Sequence, residues 1–283
     1  MYLSSLMVNT GEDPDRPRPG RLWLRNVYRV HQRLCMAFPS VSRRTEDPSF
    51  LRPFDPNDFG GTVHIPLAAH IPRAEDAGFL FRIDPQPGGR TIVLVQSATP
   101  PAWEYAFRNA PHLLAAPPAT KPYDPRFETG ERFRFRLVAN PTRKVDKEGR
   151  PEGKKNFGRR VPVPLDQLPV WLERKAAAGG FQIETLDLVQ AGYIRFWKDH
   201  ENVAPSGAPS PQESDEEPGR NGRLRSVRIE GVLKVVDPSV FHFAVIRGIG
   251  PGKGFGCGLL SVVPLPIRTD PPSSQVGVLV DAP

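Results

Sequence analysis

Basic and apolar residues alternate strictly along Arg132-Phe133-Arg134-Phe135-Arg136-Leu137-Val138, which predicts a strand with one buried face and one cationic face. Shorter apolar runs add further strands. Tyr2 to Val8 reads as the first, and Phe79 to Ile83 and Thr91 to Val95 as a pair joined by a turn at Pro87, Gly88 and Gly89. In the second half, Phe181 to Val189, Tyr193 to Trp197, Val227 to Val235 and Leu259 to Val263 follow. The pattern switches to a helical period three times. Within Leu22 to Phe38, Val27, Val30, Leu34 and Phe38 fall on one stripe at about 100° per residue, with Asn26 as N-cap and Pro39 as stop. Leu165 to Ala178 is a helix ended by Gly179-Gly180. Asp237-Pro238 opens the third helix with an acidic cap and a proline in the first turn, and the helix ends near Gly248.

Each half therefore suggests a β-α-β-β-α-β order, more clearly in the second. The fold class expected is α+β, with two tandem ferredoxin-like (RRM-like) domains. A length of 283 residues also points to two domains. The first is placed at residues 1–96. A linker, 97–130, opens with Ser97-Ala98-Thr99-Pro100-Pro101, and the second domain covers 131–263. Residues 12–20 read as a loop. Residues 201–222, rich in Pro, Ser, Gly and acid, are expected to be a disordered insertion. A glycine-rich loop spans 248–258, and 264–283 reads as a flexible tail.

Charge narrows the partners. The net charge of +7 and a pI near 9.6 favour a polyanion, with nucleic acid first and an acidic membrane surface second. No apolar run reaches the length of about 18 residues that a spanning helix needs, so no membrane partner is expected. The first residues lack the basic and apolar regions of a signal peptide. Cys35 and Cys257 are far apart and form no CxxC pair, which argues against a zinc ribbon, an iron–sulfur site or a disulfide framework. The expectation is a reducing, cytoplasmic compartment with no cofactor and no metal site. Asp13 and Asp15 lie among prolines and make a poor metal site, and His64, His70, His112, His200 and His242 fit no ligand spacing.

The densest cationic stretch runs from Arg143 to Arg160. From it Arg143, Lys144, Lys154, Lys155, Arg159 and Arg160 are taken as RNA-binding residues, as a basic loop or hairpin suits the phosphates and 2′-hydroxyls of duplex RNA. A solvated lysine-rich loop is the plainer reading. Phe133 and Phe135 read as core rather than as base-stacking rings. The 248–258 loop lacks GxxxxGK[ST] and joins a helix to a strand, so it is no nucleotide-binding P-loop. It serves either as a tight loop at the domain interface or as a close approach to RNA, with Lys253 as a contact.

Three stretches carry a family resemblance. They are Met1-Tyr2-Leu3-Ser4 with Val27-Tyr28-Arg29-Val30-His31-Gln32-Arg33-Leu34, then Phe135-Arg136-Leu137-Val138-Ala139-Asn140-Pro141-Thr142, then Ile229 to Pro238 with Gly248 to Leu260. Together they resemble the CasE family, the ribonuclease subunit of the type I-E Cascade complex. The resemblance implies two ferredoxin-like domains, binding of the CRISPR repeat RNA stem-loop, metal-independent cutting at the base of its stem, and retention with the other Cascade subunits. It implies a 2′-hydroxyl nucleophile and a 2′,3′-cyclic phosphate product. It also implies that His31 and Tyr28 are catalytic, and that Arg159 and Arg160 anchor a basic element beside the stem.

The residues suit that chemistry. An imidazole with a reference pKa of about 6.5 can take or give a proton near neutrality. At i and i+3 on one helix, Tyr28 and His31 share a side. A packing role for His31 and a core-capping role for Tyr28 are the structural alternatives. The functional alternative is a non-catalytic RNA-binding subunit of the same complex.

Overall fold

A computed structural model of the chain describes residues 1–11, 19–39, 78–145, 159–197 and 221–265. The first half contains β1 (Tyr2–Val8), α1 (Pro19–Arg25), α2 (Val27–Cys35), β2 (Phe79–Pro85), β3 (Thr91–Ser97), α3 (Trp103–Phe107) and β4 (Ala119–Pro122). Its antiparallel sheet has the order β2-β3-β1-β4. The second half contains β5 (Arg132–Ala139), β6 (Thr142–Val145), β7 (Arg159–Pro162), α4 (Leu168–Ala178), β8 (Phe181–Trp197), β9 (Asn221–Val235), α5 (Pro238–Arg247) and β10 (Leu260–Pro264). Its sheet has the order β10-β5-β9-β8, and β6 and β7 form a separate ribbon. In both sheets the last strand lies beside the first, which in turn lies beside the third. The chain is thus α+β with two ferredoxin-like units in tandem.

The alternating strand sorts its side chains as its pattern demands. Phe133, Phe135, Leu137 and Ala139 are buried while Arg132 and Arg134 are exposed. Phe133 and Phe135 belong to the core with Trp171, Leu172, Phe241 and Val245, so neither ring is open to a base. The first core gathers Leu6, Val30, Leu34, Phe81, Val95 and Trp103. Each such side chain gains roughly 1.5–3 kcal/mol from full burial.

The expected linker 97–130 needs correction. Trp103, Ala106, Phe107, Ala110 and Leu113 are buried in the first core, and β4 pairs with β1 through Tyr2↔Pro122 to Ser5↔Ala119. Residues up to Pro122 therefore complete the first sheet. The chain changes sides after that, as Tyr123 and Phe127 pack against the second core. Three smaller differences follow. Pro19–Arg25 forms a helix of its own ahead of α2. The two strands expected over 181–197 are one strand with irregularities at Ile183/Thr185 and Leu188/Gln190. β9 already starts at Asn221, two residues inside the expected insertion. The rest of that insertion and the tail from 266 lie outside the described residues.

The two halves are joined by buried polar contacts. Arg82 on β2 is 3% exposed and pairs with Asp84 at 2.8 Å. Its Nη1 donates to the Arg136 and Leu259 carbonyls and to Ser261 Oγ in the other half. Gln96 Nε2 donates to the Val245 carbonyl at 2.9 Å. These bonds replace the water that the polar groups lose on burial.

Candidate functional site

The site is built on α2. Asn26 precedes the helix in an extended conformation, and its Oδ1 accepts from the Tyr28 N–H at 3.2 Å. The same side chain grips the far end of β8: Nδ2 donates to the Trp197 carbonyl at 2.8 Å, and the Trp197 N–H donates to Oδ1 at 3.3 Å. Val27, Val30 and Leu34 fix the inner face of the helix in the core. Tyr28 and His31 occupy flanking positions, both half-buried.

The His31 ring sits where the two halves meet. Its centroid is 5.5 Å from Phe79 and 6.1 Å from Phe81 on the first sheet. Cys35 Sγ is 3.5 Å from Nε2, one helical turn away. From the second half, the turn Lys253–Phe255 lies against the ring, and a Cβ added to Gly254 would stand 3.8 Å from Cε1 and Nε2. The glycine-rich loop is therefore a tight loop at the junction of the halves. Its shape depends on positions such as Gly248, whose φ is +72° and whose Cβ would fall 2.7 Å from the Gly258 carbonyl.

Lys253, the first residue of this turn, is exposed. Partial burial lowers its ammonium pKa from the usual value, and the charges of Arg247 and Lys175 push the same way. Three cations thus share this side of the second half. Cys257 is the opposite case: burial pushes its thiol up to about 12, so it stays protonated and inert.

Arg143 and Lys144 on β6 and Arg160 on β7 are all exposed. The register sets Lys144 directly opposite Arg160, and Arg160 Nη1 donates to Thr142 Oγ1 at 3.3 Å. Like charges facing each other across a ladder cost stability unless an anion lies over them. Arg159 occupies a β7 position opposite Val145. Its side chain, together with Lys154 and Lys155, lies outside the described residues. The β6–β7 ribbon and the surroundings of His31 are distinct places, bridged by the β8–β9 ribbon through Arg225 to Val163 and Trp197 to Asn26.

Sequence reasoning missed two things here. Cys35 was given no role, although an i, i+4 spacing from His31 places it on the same side of α2. Tyr193, Arg195 and Trp197 fall within a strand pattern that marks no function, yet all three are exposed. Among the described residues, no group of three or more His, Cys, Asp and Glu could hold a metal ion. No helix among them is long and apolar enough to cross a membrane.

A family model described as CRISPR associated protein matches residues 1–264. The chain belongs to that family. Among its CRISPR-associated relatives, the CRISPR-associated endoribonuclease Cse3 of Thermus thermophilus is 33% identical over 173 residues, covering 61% of this chain and 73% of that protein. The Cascade subunit CasE of Escherichia coli K12 is 29% identical over 272 residues, covering 94% of this chain and 100% of that one. Among solved structures, Cse3 bound to a 19-nucleotide RNA superposes with a TM-score of 0.59 at 27% identity, covering 93% of this chain and 98% of the other. Cas6e of Escherichia coli K12 gives 0.51 at 26%, covering 94% and 100%. The resemblance carried by the three sequence stretches is thereby shown for the family and its fold.

Proposed function

We propose that this chain is an endoribonuclease that processes CRISPR precursor RNA and stays with its product as a Cascade subunit. The relatives' names and the RNA-bound structure of Cse3 support the class of activity. The observation that carries the reading is the position of His31: on a capped helix, at the junction of the halves, under the glycine turn of the second unit.

The cut falls at the base of the repeat stem-loop. The RNA's 2′-hydroxyl attacks the adjacent phosphorus and loses its proton to a base. The P–O5′ bond breaks, the leaving oxygen takes a proton, and a 2′,3′-cyclic phosphate and a 5′-hydroxyl result. The substrate supplies the nucleophile, so the step needs no metal. His31 moves protons, a role worth roughly 10²–10⁴-fold in rate. The Tyr28 hydroxyl donates to the phosphate or orients the 2′-hydroxyl. Arg143, Lys144 and Arg160 take stem phosphates, Lys154, Lys155 and Arg159 extend that set, and Lys253 binds RNA beside the glycine turn.

The half-burial of the His31 ring favours one competing reading, an RNA-binding subunit that does not cut. Repeat RNA incubated with the protein in EDTA separates them. The endonuclease cleaves, a 2′-deoxy nucleotide at the cut site abolishes cleavage, and His31→Ala binds without cutting. Cleavage of the deoxy substrate, or equal rates for His31→Ala and the unaltered protein, removes this mechanism.

A further inference from the structure

The outer end of the β8–β9 ribbon has two faces with different surroundings. Successive strand residues point to opposite sides. Ile194 packs against the first core, and the Phe196 ring lies 4.2 Å from Phe255. Tyr193, Arg195 and Trp197 alternate with them and take the other side, with Tyr193 59% and Trp197 37% exposed. Residues directly opposite on paired strands share a face. The register Tyr193↔Arg225 and Arg195↔Arg223 therefore adds two more arginines to that side. The Arg223 guanidinium lies 5.3 Å from the centre of the Tyr193 ring. Among the described residues, no ion pair neutralises Arg195 or Arg223.

Like charges at directly opposite strand positions, as at Arg195 and Arg223, cost stability, and exposed aromatic rings gain nothing from water. Both costs are offset by one kind of ligand, a nucleic-acid strand whose phosphates lie over the cations and whose bases stack on the rings. Stacking requires open base faces, so the strand must be unpaired here; a duplex offers only phosphates, sugars and groove edges. The location agrees. Trp197 is hydrogen-bonded through its backbone to Asn26, the cap of the helix that carries His31. In the other direction Arg225 Nη1 donates to the Val163 carbonyl, the residue after β7. The face thus joins the basic β6–β7 ribbon to the start of α2.

We propose that Tyr193, Arg195, Trp197 and Arg223 form a platform for the unpaired RNA nucleotides flanking the repeat stem. It leads the strand from the stem-binding ribbon towards His31. The proposal rests on the RNA-processing reading above and assigns a site that reading does not contain.

Fluorescence anisotropy with two RNAs, both 2′-deoxy at the cut site, tests it: the bare repeat stem-loop and the same stem-loop with its unpaired flanks. The unaltered protein should bind the flanked RNA roughly tenfold or more tighter than the bare stem, the increment of one or two stacked bases. The double variant Tyr193→Ala/Trp197→Ala should lose that increment and keep the bare-stem affinity. Arg195→Ala/Arg223→Ala should reduce it and flatten its salt dependence. Thermal unfolding of each variant checks the fold, and the backbone bonds of Trp197 to Asn26 survive the substitution. Equal affinity of the unaltered protein for both RNAs overturns the platform and leaves the stem-binding reading standing. Loss of both affinities in parallel in a folded aromatic variant also overturns it. So does unchanged RNA binding combined with lost assembly with partner subunits, which would make the face a protein-docking surface. Failure of the unaltered protein to bind the bare stem would instead sink the RNA-processing reading itself.

Discussion

Replacing Asn26 with alanine should loosen the helix that carries His31. The residue is 3% exposed and its side chain makes three bonds: it accepts from the Tyr28 and Trp197 N–H groups and donates to the Trp197 carbonyl. Loss of an N-cap costs about 1 kcal/mol. Each bond to Trp197 adds about 1 kcal/mol at most, because water can reach the exposed ribbon end and take over part of it. The sum is about 2–3 kcal/mol, a large share of a stability that is typically about 5–15 kcal/mol. In urea the midpoint should fall by about 1 M. Asn26→Asp separates cap from clamp. A carboxylate still accepts from both N–H groups and is favoured at a helix N-terminus. It cannot donate to the Trp197 carbonyl, and it sets oxygen against oxygen there. Stability should therefore recover most of its loss, while single-turnover cleavage stays well below that of the unaltered protein. A destabilisation under about 0.5 kcal/mol for Asn26→Ala, or full cleavage by Asn26→Asp, would refute the reasoning.

Three further outcomes follow from the packing. Asp84→Asn leaves the Arg82 charge buried and unmatched at the junction of the halves, so it should cost about 3–5 kcal/mol in urea unfolding; a change below 1 kcal/mol on that scale would show that Arg82 is satisfied by its carbonyl partners alone. Gly248→Ala forces a side chain into φ +72° and a Cβ to 2.7 Å from the Gly258 carbonyl, which costs at least about 1–2 kcal/mol and should lower both Tm and cleavage, and an unchanged Tm would count against the strain. Burial raises the Cys257 thiol from 9.0 to about 12, so it should resist alkylation at pH 8 until urea is added. Because the unfolded chain releases that proton first, stability should fall as pH rises from 9 to about 12, and Cys257→Ala should remove that part of the slope; rapid native labelling of two thiols would contradict the burial.

What could be read from the chain was what local chemistry decides. The alternation through Arg132–Val138 specified β5 and its buried face because a strand has no other way to sort such residues. Asn26 and Asp237 announced their helices because a cap bonds within its own first turn, at Tyr28 and Val240. The misses have non-local causes. β4 shows no periodicity because all four of its side chains are exposed, and it becomes a strand only because β1 has a free edge. α3 is five residues long, too short for a helical period to stand out. Arg82 looks like a surface residue in its own sequence, and its partners Leu259 and Ser261 come from near the opposite end of the chain. The pattern along α2 draws notice to His31, but nothing local to it points to its enclosure by Phe79, Phe81 and Gly254. Tyr193, Arg195 and Trp197 were hidden in plain view, since the spacing that makes a face also makes a strand.

The clamp on α2 has a consequence for biosynthesis. Asn26 and Trp197 are 171 positions apart. At about 5–20 residues per second, the ribosome delivers the second roughly 10–30 s after the first. Throughout that interval the nascent N-terminal unit carries its histidine without the turn that covers it or the ribbon that holds its helix. The surroundings of His31 are thus completed only after the chain has been made past Phe255, and a translation product truncated before Trp197 carries His31 on a helix with neither clamp nor cover.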